Sequence, residues 1–446
     1  MATTLLFGGL VLCLGTADRI FERGYVLIEG DRIAAVGDLA DLPASRAYDT
    51  QIDCTERLIM PGLVNAHTHT PMTLFRGLAE GVSLLEMDGW YNTVRTLELV
   101  MTPAMVPAAV EVACAEMIRT GTTTFADQYF YMEQVIPAVR KSGLRAGLAY
   151  GVVELGDPVA RERELTRLDA FLEEMGGEPG SRLTGWIGPH AFFVDNSVET
   201  MAAERRLAEK YRTGLHFHLS TRSEEDQLCA QQFGMSAVAK MAELGMLDHQ
   251  SIAAHSITIP REDWPLLATK PFTAVACASA CMRAGVEAAP VVGMRSAGIN
   301  IALGTDNVCN NNDYDLFSEM RTLAKLSSFR EKRPGALPAR EVLEIATLGG
   351  ARALGLADEI GELTAGKKAD LIMLDRTGIG WTPTPTNDPF SALVYSINGL
   401  QVSDTMVDGA WLLREGRWIT LDYADAVRRQ ADDVRELLKR RDAAYA

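Results

Sequence analysis

Apolar positions along this chain follow two rhythms. Near the start they come in short bursts over residues 5–14, 24–29 and 32–36, broken by Gly8-Gly9, Gly30-Asp31 and Gly37-Asp38. Such bursts, bounded by glycine and aspartate, predict strands and tight turns. Gly30-Asp31 separates Val26-Leu27-Ile28 from Ile33-Ala34-Ala35-Val36, which predicts a hairpin. That much antiparallel β does not open a barrel, so residues 1–58 are expected to be part of a separate small β domain.

From residue 59 strands alternate with helices. Apolar strand-like runs fall at 59–69, 121–127, 145–153, 183–187, 215–219, 251–254, 272–276 and 300–303. Between them, helical spacing covers 102–119, 133–142, 162–175, 198–211, 235–244, 264–268 and 290–297. Eight alternations predict either a closed (β/α)8 barrel or an open doubly wound sheet. The polar residues decide between them. His67, His69, His190, His218, His255 and Asp306 all fall at or just past the C-terminal ends of predicted strands. A barrel makes those ends converge on one rim, so a TIM-type barrel over 59–360 is expected. A helix over 340–354 closes that segment. Strands at 402–407 and 410–413, joined by Asp408-Gly409, return the chain to β structure, and residues 424–445 have helical spacing. The expected organisation is a small β-sandwich domain built from residues 1–58 and 361–422, the barrel between them, and a C-terminal helix over 423–446.

Composition narrows the partners. The formal net charge of −16 argues against a nucleic-acid backbone or an anionic membrane surface. The apolar stretch from Leu5 to Gly15 has no basic residue before it and is interrupted by Gly8 and Gly9, so it reads as strand and turn, not leader or membrane span. Seven scattered cysteines without a Cys-x-x-Cys pair fit reduced, buried thiols in the cytoplasm.

The candidate chemistry starts at His67-Thr68-His69. On a strand, residues i and i+2 face the same side, so both imidazoles aim at one point, as a metal site requires. The chain holds seven histidines in all, so two in this register are unlike chance surface residues. His216-Phe217-His218 repeats the spacing. His249, in Asp248-His249, has no motif and reads as a surface residue.

Pro61-Gly62-Leu63-Val64-Asn65-Ala66-His67-Thr68-His69 resembles the first-strand motif of the amidohydrolase superfamily. More narrowly it is similar to the branch of methylthioadenosine/S-adenosylhomocysteine deaminases, guanine deaminases and s-triazine hydrolases, and the resemblance extends over nearly the whole chain. It implies one divalent metal ion per chain, Zn²⁺ with Fe²⁺ or Mn²⁺ as alternatives, held by His67, His69, His218 and Asp306. Asp306, in Gly304-Thr305-Asp306, would also take a proton from the attacking water; an aspartate there can otherwise cap a helix. His255 would contact that water, and His190 would bind a ring nitrogen of the substrate. Trp90 and Glu98 resemble an aromatic wall and a ribose-binding glutamate, with Glu98 one residue off the usual spacing. His216 is left to packing within the barrel. A homo-oligomer, dimer or tetramer, is implied by the resemblance alone.

Two departures stand out. Three residues after His218, where the family motif carries a proton-shuttling glutamate, this chain has Thr221, followed by Arg222, Ser223, Glu224 and Glu225. Ala276-Cys277-Ala278-Ser279-Ala280-Cys281 stands where the family commonly has His-x-Pro-x-Ser-Asn. The expected function is metal-dependent hydrolysis of a C–N bond, a deamination, in a small amino-heterocycle such as a purine, pterin or triazine. With Thr221 at the substrate, the alternative is the same metal site acting on a chloride, urea, carbamate or ester. A second alternative is a metal-binding homologue without catalysis.

Overall fold

The computed structural model describes residues 2–16, 18–43, 47–176, 180–191, 196–383 and 388–445. Eight parallel strands lie side by side in sequence order: Leu63–Thr68, Thr122–Tyr129, Arg145–Val152, Leu183–Pro189, Leu215–Leu219, Ser251–His255, Phe272–Ala276 and Asn300–Leu303. The eighth meets the first through side chains as well as backbone. Asn65 Nδ2 donates to Thr305 Oγ1 (2.8 Å), Thr305 N donates to Asn65 Oδ1 (3.1 Å), and Asp306 N donates to the His67 carbonyl (3.0 Å). The expected (β/α)8 barrel is therefore the fold of the central chain.

Both chain ends build one further sheet of nine strands. Thr3–Leu12 pairs with Ile20–Glu29, which pairs with Arg32–Asp38 through the hairpin at Gly30-Asp31. Leu371–Asp375, Val402–Val407 and Ala410–Arg414 come from the other end, the last two joined at Asp408-Gly409. The apolar run read as one barrel strand in fact serves two sheets. Arg57–Pro61 lies between Thr3–Leu12 and Leu371–Asp375 in the terminal sheet, and Leu63–Thr68 opens the barrel. Gly62 is the joint. A Cβ there would lie 2.1 Å from Thr123 Oγ1, so no larger residue fits this close approach.

The sheet is fastened to the barrel's N-terminal end by Arg145, the first residue of the third strand. It donates to Asp370 (3.1 and 3.2 Å) and to Asp408 (2.5 Å), and Arg182 Nε adds a bond to Asp408 (2.7 Å). Tyr423–Tyr445 forms the C-terminal helix, and its Gln430 Nε2 donates to Thr73 Oγ1 (2.8 Å).

Several helices go beyond the pattern reading. Leu316–Arg330, Ser223–Phe233 and Ala278–Ala284 were not expected, and 340–354 is broken by a π-helical turn over Ile345–Gly349. Ser223–Phe233 buries only Glu225 and Cys229. A helix with so little apolar face shows no period for a reader to find. All seven cysteines are free and buried, and no helix among the described residues is long and apolar enough to cross a membrane.

Candidate metal centre and cavity

The barrel topology carries the candidate residues to one end. His67 lies on the first strand and His69 just past it, followed at once by a 3-10 turn over Thr70–Phe75. Asp127, on the second strand, fixes that turn by accepting from Thr68 Oγ1 (2.8 Å), Thr70 N (2.7 Å) and Thr70 Oγ1 (2.7 Å). Both neighbours of His69 are thus held by one buried carboxylate. His218 is on the fifth strand, and His255 ends the sixth. His255 and Asp306 adopt left-handed backbone, with φ of 70° and 61°. Non-glycine residues pay for that conformation, and it turns each strand end sharply at the site. Ligand atoms of His67, His69 and His218 lie within 4.8 Å of one another, and so do those of His67, His255 and Asp306.

Hydrogen bonds set which nitrogen faces inward. His69 Nδ1–H donates to the Gln128 carbonyl (2.6 Å), and His218 Nδ1–H to the His190 carbonyl (2.6 Å). Each leaves Nε2 bare. His69 Nε2 is 3.4 Å and His67 Nε2 3.6 Å from Asp306 Oδ1. His67 Nε2 is buried and makes no hydrogen bond. Burial pushes His67 down to about 3, and His216 and His218 well below their ordinary value, whereas at His69 burial is outweighed by the facing Asp306 carboxylate and the Gln128 carbonyl, which raise it. Neutral imidazoles with one nitrogen fixed by a carbonyl and the other bare are the ligand form metals take. Burial works to raise Asp306, but the facing imidazoles of His67 and His69 outweigh it and hold the carboxylate well below the usual range. Three imidazoles and one carboxylate fit Zn²⁺, and equally Fe²⁺ or Mn²⁺.

Asp306 is secured by its own loop. Oδ1 accepts from Asn307 N (2.6 Å) and Asn307 Nδ2 (2.9 Å), and Oδ2 from Asn310 Nδ2 (2.8 Å). Asn307 Oδ1 in turn accepts from Cys309 N and Asn310 N, both at 2.9 Å.

A cavity of about 460 Å³ opens over these residues, within the range for small-molecule sites. His69, His218, His255 and Asp306 line its floor, and Trp90, Glu98, His190 and Thr221 its walls. Trp90 and His190 pack ring to ring at 5.3 Å. Glu98 is buried, accepting from Tyr129 Oη (3.1 Å) and Arg95 (3.3 Å); burial raises its carboxyl against the pull of Arg95. All the residues expected at the site thus meet in one place. His249 does not: it lies, half-buried, before the start of the sixth strand, at the barrel's other end.

The residues after Thr221 diverge. Glu224 points outward, its side chain 67% exposed and paired with Arg222 (3.4 Å). Arg222 also pairs with Glu86 across the mouth. Glu225 turns inward, buried, with Oε2 accepting from the backbone N–H of Ser220.

Pattern reading missed the residues that hold the candidates. His216 packs inside the barrel as expected, but its Nε2 also lies 2.7 Å from His67 Nδ1. Gln128, Asp127, Tyr129, Asn307 and Asn310 were likewise passed over. The asparagine run after Asp306 and the carboxylate in Thr124-Phe125-Ala126-Asp127, at a rim position like those of the histidines, were the available signals.

The Amidohydrolase family profile matches residues 58–412, and an imidazolonepropionase-like composite domain of bacteria matches residues 26–45. The chain is 38% identical over 420 residues to a 5-methylthioadenosine/S-adenosylhomocysteine deaminase of Moorella thermoacetica, covering 92% of this chain and 95% of that one. It is 34% identical over 418 residues to a 5'-deoxyadenosine deaminase of Methanobrevibacter smithii, covering 93% and 94%. Among solved structures, an adenosine deaminase from Xanthomonas campestris with bound zinc superposes with a TM-score of 0.91 at 29% identity, covering 98% of this chain and 99% of that one. An atrazine chlorohydrolase from Arthrobacter aurescens TC1 complexed with zinc superposes with a TM-score of 0.87 at 25% identity, covering 97% and 100%.

Proposed function

The chain belongs to the amidohydrolase family, and on that premise we propose that it is a metal-dependent hydrolase that deaminates a small amino-heterocycle of the adenosine type. The observation that carries this reading is the meeting of His67, His69, His218, His255 and Asp306 in one cluster, the last four of them on the floor of the cavity. His67, His69, His218 and Asp306 would hold one divalent ion, whose contribution is to make bound water acidic enough to lose a proton near neutral pH. Asp306 accepts that proton. His255 orients the attacking oxygen. His190 and Trp90 hold the ring, and Glu98, fixed by Tyr129 and Arg95, is placed to accept from substrate hydroxyls.

The test is ammonia release by metal-loaded protein over a panel of amino-purines, pterins and triazines. Turnover of one class that vanishes on chelation supports the reading; release from none would sink it. Thr221 favours a second reading, the same water activation with a chloride, carbamate or ester group leaving unprotonated, because a threonine hydroxyl is no acid near neutral pH. Chloride release from a chloro-triazine by the same protein distinguishes it. Seven free buried thiols support a cytoplasmic location. We assign a homo-oligomeric state, dimer or tetramer, and a 48.6 kDa particle in light scattering would contradict it.

A further inference from the structure

Proton supply at this cavity is uneven, and the unevenness selects a substrate. Acceptors are plentiful: Glu86, Asp88, Glu98, Glu224, Glu225 and Asp306 all line it, against Arg222 as the one Lys or Arg side chain among the described residues on its wall. Among the described residues, donors able to transfer a proton to the reacting ring are scarce. Thr221 lines the cavity where the family motif has its glutamate. Glu224 is drawn out to Arg222, Glu225 accepts the Ser220 N–H through Oε2, and Glu98 accepts from Tyr129 and Arg95.

Water addition to a neutral amino-azine, –C(NH₂)=N–, puts a negative charge on the ring nitrogen beside the attacked carbon. That nitrogen then needs a proton at once, separate from the one Asp306 removes from water. Addition to an amidinium, –C(NH₂)=N⁺R–, leaves the same nitrogen neutral and needs no donor there. The first proton, carried by Asp306, goes to the amino group as the C–N bond breaks. The second leaves the adduct's hydroxyl as the carbonyl forms, so that amidinium and water give the ring carbonyl and ammonium.

Resting on the deaminase reading above, we propose that the substrate presents an amidinium: a heterocycle whose ring nitrogen next to the amino-bearing carbon is already protonated or N-alkylated. The acidic lining supports this independently. Carboxylates around a partly desolvated cavity favour a cation and disfavour phosphorylated or carboxylate-bearing compounds.

The experiment compares 1-methyladenosine with adenosine, by ammonia release from metal-loaded protein. The cation should have kcat/KM at least about tenfold higher. Thr221→Glu should raise adenosine turnover by about 10²–10⁴-fold, the usual size of general acid catalysis, and narrow the gap; Thr221→Gln, of similar size but with no proton to give, should not. A second readout avoids turnover: calorimetry should show benzamidinium binding more tightly than benzamide, by an amount that shrinks with added salt. Adenosine equal to or faster than 1-methyladenosine, as it would be if His190 supplied the missing proton, overturns the amidinium assignment and leaves deamination standing. Equal binding of benzamidinium and benzamide also overturns it. Ammonia from neither nucleoside, with metal fully loaded, overturns both readings.

Discussion

His67 Nδ1 and His216 Nε2 stand 2.7 Å apart, both buried. His69 and His218 are oriented by backbone carbonyls, whereas His67 is oriented by another imidazole. For His67 Nε2 to face the metal, Nδ1–H must donate and His216 must accept through a bare Nε2. His216→Phe keeps bulk but removes the acceptor. It is expected to weaken metal affinity by about 10–100-fold, the usual effect of losing such an outer partner. Competition with a chelator of known affinity checks this; unchanged affinity would show the contact to be packing alone.

The ligand set itself makes a stronger prediction. Protein loaded with Zn²⁺ should carry about one tightly held ion per chain, and His67→Ala should lose it. Elemental analysis after gel filtration decides. Full occupancy in His67→Ala would remove that histidine from the set.

Glu224 and Glu225 are adjacent but should behave oppositely. Glu225 accepts from the Ser220 N–H at the end of the fifth strand, two residues from His218. Glu225→Gln exchanges a charge-assisted bond for a neutral one and is expected to cost about 1–2 kcal/mol. Glu224 is exposed beside Arg222, and Glu224→Gln should leave the melting temperature unchanged within error. Thermal melts of the two metal-loaded variants test the pair. Loss of all turnover in Glu224→Gln, with metal intact, would reveal a proton carrier where the geometry places none.

Glu319 sits fully buried behind the site, accepting from Ser279 N (2.9 Å) and Asn311 Nδ2 (3.3 Å). Burial raises its carboxyl from 4.5 to about 7. The folded state therefore holds this proton more tightly than the unfolded chain does. The resulting stabilisation is complete below pH 4.5 and is lost as pH rises to about 7. The shift corresponds to ~3 kcal/mol. Denaturant melts of wild type and Glu319→Gln across that range should show the difference between them changing by an amount of that order. A constant difference would mean Glu319 keeps an ordinary pKa.

The sequence made the barrel legible because parallel strands buried on both faces are dense apolar runs, and rim residues follow them directly. His67, His69, His218, His255 and Asp306 were readable for that reason. The fixing interactions were not, because they join residues far apart in the chain: Gln128 to His69, His190 to His218, Asn65 to Thr305. Where the partner is near in sequence, as with Asn310 and Asp306, nothing in the residue type says which way the amide turns. Helices with polar faces, such as Ser223–Phe233, hid for want of a period, and the split of one apolar run between two sheets at Gly62 shows only in three dimensions.

That joint has a bearing on how the protein is made. Ribosomal synthesis delivers Arg57–Pro61 early, but its antiparallel neighbour Leu371–Asp375 emerges some three hundred residues later. Until then one edge of a strand leading straight into His67 and His69 lacks its final partner. An open apolar edge invites pairing with other chains. Nascent chains stalled or cut before residue 371 would thus display both metal-site histidines on an unfinished sheet, making aggregation rather than partial activity the expected fate of truncated product.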